Sequence, residues 1–145
     1  MDFFITYQDA LQVYLLISFG LVVLIWLVQL IIYPNFQYLS DIKRIQWHKV
    51  YTPRITAVVA PLMILQFLLS AILLFYTISF FTISSILLIL LNWLITFVYF
   101  VPLHVKLNQN KVNYKSLQGL VTVNWYRTAL WSLIFLIALI NQILI

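Results

Sequence analysis

The stretch of sequence with the most chemical potential is Asn124-Trp125-Tyr126-Arg127-Thr128-Ala129-Leu130-Trp131, which leads directly into an apolar segment. A helix places four of its side chains on one face, at positions i, i+3, i+4 and i+7: Asn124, Arg127, Thr128 and Trp131. An arginine near the centre of a membrane helix costs roughly 2.5–3.5 kcal/mol on insertion scales, so this face is expected to point into a bundle or a wet cavity. A buried guanidinium beside neutral donors suits an anionic or phenolate oxygen, and we predict that Arg127 and Asn124 hold such an oxyanion.

The two histidines are the second chemically capable set. His48 precedes one apolar run and His104 follows the next, so both are expected on one side of a bundle, in positions that allow them to face each other across a pocket. A neutral imidazole near pH 7 is suited to proton transfer, and we predict that His104 moves a proton. A haem or copper pair is the alternative, but without cysteine or carboxylate partners we predict no cofactor and no metal. For His48, a solvated residue at the membrane interface is a further alternative.

The remaining polar and aromatic residues near these groups predict a funnel that opens to the cytoplasm and is closed on the outer side by apolar residues. Trp and Tyr at span ends are often interfacial anchors, and buried amides or hydroxyls often form interhelical hydrogen bonds, so each member also has a structural interpretation. Arginines near span ends also reach lipid phosphates. The predicted ligand-binding residues are Tyr33, Trp47, His48, Tyr51, Gln66, Asn92, Thr96, Tyr99, Trp125, Thr128 and Trp131.

The composition indicates an integral membrane protein. Of 145 residues, 65% are hydrophobic and 8% are charged, whereas soluble domains have about 45–50% and about 25%. The absence of cysteine excludes disulfides, thiolate metal sites and iron–sulfur clusters. The only acids are Asp2, Asp9 and Asp41, and none lies within an apolar run. A carboxylate relay at mid-membrane is therefore not expected, which disfavours a channel or transporter.

Four apolar runs predict an all-α membrane protein with transmembrane helices at about 11–32, 54–76, 83–103 and 120–145. Short connections favour one domain over 1–145, arranged as an up-down-up-down four-helix bundle. Between the first two spans, Ser40 as an N-cap predicts a short amphipathic helix lying in the interface. Thr52 and Pro53 are then expected to begin the second span, as its N-cap and first helical residue.

The distribution of positive charge predicts the orientation. The 8 Lys and Arg residues lie in, or within one to two turns of, the connections after the first and third spans. The positive-inside rule places both connections in the cytoplasm and both termini outside, here across a bacterial cytoplasmic (inner) membrane. Membrane lipids are the expected partners, with a lipophilic small molecule as a candidate ligand and no nucleic acid. The uncharged helix faces also permit a homo-oligomer.

Two segments resemble a known group of proteins. The run Val101-Pro102-Leu103-His104-Val105-Lys106-Leu107, followed by Asn124-Trp125-Tyr126-Arg127-Thr128, is similar to a small four-helix bacterial membrane family related to the anthrone-oxygenase-like proteins. The fungal enzymes that name that group oxidise polycyclic phenols without an evident cofactor. The resemblance implies the four-helix fold and a site formed by His104, Trp125 and Arg127.

Two functional hypotheses follow from the residues. In the first, the protein is a cofactor-free enzyme of oxygenase or isomerase type whose cytoplasm-facing pocket takes a lipophilic phenol, quinone or isoprenoid. In the second, it is a non-catalytic membrane subunit or lipid-binding protein, its polar stripe joins the helices, and its basic face grips anionic headgroups at about 1 kcal/mol per residue. The sequence leaves both open.

Overall fold

A computed structural model describes residues 6–109 and 114–144, without the side chain at position 114. Asp2 and Lys111, which belong to the charge pattern above, and Ile145, the predicted end of the fourth span, lie outside the described residues. Within the described ranges every element is a helix, so the predicted all-α class is confirmed.

The helices combine into four long rods. The first long helix, Tyr7–Asn35, joins α1 (Tyr7–Leu27), a π-helical turn (Val28–Ile32) and α2 (Tyr33–Asn35). The second long helix is α3 (Asp41–Tyr76). The third long helix, Phe80–Asn108, joins α4 (Phe80–Ile95), a second π-helical turn (Thr96–Phe100) and α5 (Val101–Asn108). The fourth long helix is α6 (Tyr114–Leu144).

All four long helices have the length and composition of membrane spans. Their most apolar windows have mean hydropathies of 2.8, 2.5, 2.3 and 1.6 in chain order, with at most two charged residues in each window. A hydrocarbon core of about 30 Å needs about 20 helical residues, and each rod exceeds that length. The described chain therefore has the character of a multi-pass membrane protein.

Side-chain caps fix where two of the rods begin. Thr6 precedes the first long helix, accepts a hydrogen bond from the Asp9 backbone N–H at 3.2 Å, and donates its own backbone N–H to the Asp9 carboxylate at 3.1 Å. Ser79 and Thr82 make the same reciprocal pair at the start of the third long helix, at 3.2 and 3.0 Å. These capping boxes satisfy backbone donors that the first turn leaves free.

The second long helix differs from the prediction of a separate interfacial helix. Residues 41 to 76 form one helix of 36 residues, and Pro53 lies inside it. Thr52 is therefore no N-cap; its hydroxyl lies 3.1 Å from Nε2 of His48, one turn earlier. Arg44, His48 and Tyr51 are buried at i, i+4 and i+7. Because this stripe packs inward, tertiary contacts keep the segment helical at the cost of the one hydrogen bond that Pro53 cannot donate.

Both π-helical turns precede a proline by the same interval. Val28–Ile32 ends two residues before Pro34, and Thr96–Phe100 ends two residues before Pro102. A proline in a helix lacks an N–H and its ring clashes with the carbonyl four residues earlier. Widening the preceding turn relieves that clash, and such π-bulges are frequent at functional sites.

Two polar bridges join the helices inside the bundle. Gln66 on the second long helix donates to the Ser18 hydroxyl on the first at 3.1 Å and accepts from the Trp131 indole on the fourth at 3.3 Å. Gln29 on the first accepts from Asn124 on the fourth at 2.9 Å and donates to the Val121 carbonyl at 3.2 Å. Interhelical hydrogen bonds of this kind fix the register between membrane helices.

Candidate functional site

A cavity of about 380 Å³ lies between the four long helices. Most of its wall is aliphatic or aromatic, which suits a lipophilic molecule. A small group of polar side chains also lines it: Tyr33, Tyr51, Thr52, Thr56, Thr96, His104 and Arg127. The cavity is thus an apolar chamber with a few polar groups that can orient a ligand.

The cavity opens between the second and third long helices. Among its lining residues, Ile64 on the second helix is 48% exposed, and Phe97 and Val101 on the third are 56% and 45% exposed. Residues that both line the cavity and face outward mark its mouth. The exposed Thr56 also lines the cavity, but the other side chains at the mouth are apolar, so the mouth is suited mainly to contact with hydrocarbon rather than water.

Arg127 is the dominant charge in the cavity wall. It is only 6% exposed, and its guanidinium carbon lies 4.7 Å from the centre of the Phe100 ring and 4.8 Å from that of Trp131. Its Nη1 donates to Oδ1 of Asn124 at 3.4 Å, whereas its Nε has no hydrogen-bond partner. In the described part of the chain the only ion pair joins Arg44 to Asp41, so Arg127 has no carboxylate partner there.

Asn124 does not line the cavity itself; its side chain contacts Arg127, which does. Its side-chain N–H donates to Gln29, which leaves its oxygen free to accept from the guanidinium. The Thr128 hydroxyl donates to the Asn124 backbone carbonyl at 3.0 Å, within the same helix. The predicted polar stripe of the fourth helix therefore does face inward, with only Arg127 and Trp131 reaching the cavity.

The two predicted histidines meet in space. Nε2 of His48 lies 2.8 Å from Nδ1 of His104, and the two ring centroids are 5.0 Å apart with the ring planes inclined by 29°. Nε2 of His104 lies 3.4 Å from the Tyr33 hydroxyl, and Nδ1 of His48 lies 2.7 Å from Oδ1 of Asn108. His48 is fully buried, contrary to its alternative interpretation as a solvated interfacial residue.

This geometry does not fit a metal held between the histidines. A metal–imidazole bond is about 2.0–2.1 Å long, so an ion between two nitrogens 2.8 Å apart has no room. The other nitrogens of the pair face Asn108 and Tyr33. Among the described residues, no three His, Cys, Asp or Glu side chains are grouped as a metal site. The haem or copper alternative thus requires a different arrangement of these rings.

The structure divides the predicted site residues into three groups. Those that line the cavity are Tyr33, Tyr51, Thr96, His104, Arg127 and Trp131. Those that contact the lining residues from behind are His48, Gln66, Asn124 and Tyr99. Trp47 and Trp125 are 46% and 45% exposed; the first stacks on Tyr51 and the second meets the edge of Trp26. Neither reaches the cavity, and the same is true of Asn92 and Thr128.

Sequence reasoning missed several buried polar groups. Asn108 and Thr52 both contact His48, whereas the sequence places Asn108 in a connection and predicts Thr52 as an N-cap. The half of the bundle that contains the turn at residues 77–79 was expected to be apolar, but it holds five buried hydroxyls, those of Tyr14, Ser18, Ser70, Thr82 and Ser85. Tyr14 and Ser18 are four residues apart on the first helix, and this spacing is the one local signal that a polar face of that helix points inward.

Comparisons with protein families, with curated proteins and with solved structures find no match for this chain. The resemblance to the anthrone-oxygenase-like proteins therefore remains a prediction, and the functional assignment depends on the site itself.

Proposed function

We propose that this protein binds a lipophilic molecule carrying an anionic or phenolic oxygen, with the oxygen against Arg127 and the apolar body in the cavity. The observation that carries the proposal is a guanidinium that is 6% exposed, lies at the wall of an apolar cavity and has no carboxylate partner in the described chain. Buried arginines are usually paired with an anion, so a ligand anion is the natural partner for a guanidinium that has none in the described chain.

The proposal includes an orientation in the membrane. The four long helices cross a bacterial inner membrane in an up-down-up-down bundle, with both termini outside and both basic connections in the cytoplasm. The charge pattern supports this orientation. The mouth between the second and third helices then faces the hydrocarbon core, so the ligand enters from the lipid phase. That route suits a phenol, quinone or isoprenoid.

The enzymatic form of the proposal assigns a proton transfer to the site. His104 lines the same cavity as Arg127, and its Nε2 is close to the Tyr33 hydroxyl. A neutral imidazole that takes a proton from a phenol leaves a phenolate, and Arg127 stabilises that charge. Such a step begins either an isomerisation or an oxygenation in which dioxygen is the oxidant of the phenolate, in line with the resemblance noted above.

A non-catalytic function is the second candidate, and the bridges at Gln66 and Gln29 favour it. These hydrogen bonds join three helices, and Trp131 is the only one of their members that lines the cavity, as expected for interhelical adhesion. In this case the protein is a lipid-binding protein or a membrane subunit, and Arg127 holds an anionic lipid headgroup without any reaction.

Titration with an alkylated 4-nitrophenol tests the proposal, because its phenolate absorbs visible light and its phenol does not. We expect the protein in lipid nanodiscs to bind the probe as phenolate, and Arg127→Gln to weaken binding at least tenfold. Arg54→Gln is the matched control, since Arg54 is exposed on the second helix and outside the cavity wall. Equal binding by wild type and Arg127→Gln contradicts the proposal.

A further inference from the structure

A chain of hydrogen-bonding groups leads from the cavity to the end of the third long helix. It runs from the Tyr33 hydroxyl to Nε2 of His104 at 3.4 Å, from Nδ1 of His104 to Nε2 of His48 at 2.8 Å, and from Nδ1 of His48 to Asn108 at 2.7 Å. Tyr33 is buried, whereas Asn108 is exposed. The chain therefore connects a buried phenol at the cavity to the surface of the bundle.

The tautomers of the two imidazoles depend on each other. A neutral imidazole carries one N–H, and the 2.8 Å contact between Nε2 of His48 and Nδ1 of His104 holds one proton. If His104 donates, each ring is protonated on Nδ1; if His48 donates, each is protonated on Nε2. Mixed tautomers place two protons or two lone pairs against each other. The two rings must therefore share the same tautomer and change it together.

The groups at both ends of the chain of hydrogen bonds can act either as donor or as acceptor. The Tyr33 hydroxyl can donate to Nε2 of His104 or accept from it, and the Asn108 amide can present its oxygen or its nitrogen to His48. The chain can thus adopt two complete sets of hydrogen bonds, or polarities: every donor points either toward Asn108 or toward Tyr33. One proton shift along every link converts one polarity into the other. A purely structural hydrogen bond network requires only one polarity, whereas a proton relay requires both.

We propose that Tyr33, His104 and His48 form a proton relay between the ligand cavity and the surface at Asn108, a step that rests on the proposed function. A phenolic ligand gives its O–H proton to Tyr33 as Tyr33 gives its own to Nε2 of His104. His104 passes its Nδ1 proton to Nε2 of His48. The Nδ1 proton of His48, which the Asn108 side chain covers, passes to a water molecule while the exposed amide of Asn108 turns from presenting its oxygen to presenting its nitrogen. Each relay residue gains one proton and loses one, the ligand becomes an anion beside Arg127, and water becomes hydronium.

Thr52 serves the relay as a positioning residue. Its hydroxyl lies 3.1 Å from Nε2 and 3.3 Å from Nδ1 of His48, one helical turn away on the same helix. The contact restricts rotation of the His48 ring, and the tilted Phe36 ring packs beside it at a centroid distance of 5.8 Å. A fixed ring keeps Nε2 aimed at His104, which short proton hops require.

Nitrogen-15 NMR of histidine tests the relay directly, because the chain contains only two histidines. In nanodiscs we expect both residues to show the same tautomer, with a scalar coupling between Nε2 of His48 and Nδ1 of His104 across their hydrogen bond. Addition of the alkylated nitrophenol should convert both rings together from Nδ1-protonated to Nε2-protonated. Opposite tautomers, or a change confined to His104, overturn the relay.

Variants at the two ends separate a relay from a static network. In Tyr33→Phe the nitrogen–nitrogen coupling should persist, but the probe should no longer switch the tautomers. In Asn108→Asp the ionised carboxylate can accept a hydrogen bond from Nδ1 of His48 but cannot donate one, so both rings should stay protonated on Nδ1 and the bound probe should remain largely phenol. Asn35→Asp is the matched control, an exposed amide at the end of the first helix and outside the chain of contacts. A ligand-driven switch that survives Tyr33→Phe overturns the relay.

Failure of the relay and failure of the proposed function give different results. Probe binding that depends on Arg127 without any tautomer switch refutes the relay and leaves the binding function intact. Absence of Arg127-dependent binding refutes the proposed function and with it the ligand step of the relay.

Discussion

Replacement of Arg127 by methionine separates a functional arginine from a structural one. Burial of a guanidinium near the centre of a membrane helix costs roughly 2.5–3.5 kcal/mol, and its unpaired Nε adds about 1–3 kcal/mol. Against this, contacts with Phe100 and Trp131 contribute about 0.5–2 kcal/mol each, and the hydrogen bond to Asn124 contributes about 1.5–3 kcal/mol. The two sides nearly cancel. We therefore expect Arg127→Met to change the free energy of unfolding by less than about 2 kcal/mol.

Unfolding in mixed detergent micelles, followed by tryptophan fluorescence, measures this change. Arg54→Met, at an exposed site on the second helix, controls for the loss of one positive charge. Binding of the alkylated nitrophenol is measured on the same samples, and Arg127→Met should bind it at least tenfold more weakly. A protein that keeps its stability but loses the probe supports an arginine retained for ligand binding. A loss of stability above about 3 kcal/mol, the range for a broken buried ion pair, refutes this reasoning and favours the structural alternative.

Three further predictions concern topology, adhesion and access, and the absence of native cysteine simplifies two of them. In intact cells a membrane-impermeant maleimide should label Ile78→Cys but not Gln109→Cys, because the positive-inside rule places position 109 in the cytoplasm; labelling of position 109 alone reverses the proposed orientation. Gln66→Leu should lower the free energy of unfolding by about 1 kcal/mol with probe binding intact, since it removes two interhelical hydrogen bonds; an unchanged unfolding curve contradicts that role. A bulky maleimide on Val101→Cys should slow probe uptake from vesicles, whereas the same label on the equally exposed Leu133→Cys should not, as only position 101 lies at the mouth. Equal slowing by both labels shows that the mouth lies elsewhere.

Features that depend on a single helix could be predicted from the sequence. The stripe of Asn124, Arg127 and Trp131 faces inward because the 3.6-residue period and the cost of charge in lipid both act within one segment. The all-α class follows from length and hydropathy in the same way. The position of each histidine relative to its own span also predicted that both lie on one side of the bundle, although not that they meet.

Features that depend on the rotation of one helix against another could not be predicted. Asn108 lies one turn beyond His104, and nothing local shows that it reaches His48 on another helix. Trp125 and Trp47 are aromatic, like many residues that line the cavity, yet their positions on their helices leave both side chains exposed on the outside of the bundle. The continuity of the second helix through Pro53 depends on the inward packing of Arg44 and His48, a tertiary effect that outweighs the local signal of proline.

Native mass spectrometry of the protein purified in mild detergent from its own membrane tests the central claim most directly. We predict that the wild-type protein carries one lipophilic molecule with a phenolic or acidic group, that Arg127→Met does not carry it, and that Arg54→Met does. Retention of the same molecule by Arg127→Met, or wild-type protein that carries no such molecule, contradicts a cavity built around an unpaired arginine.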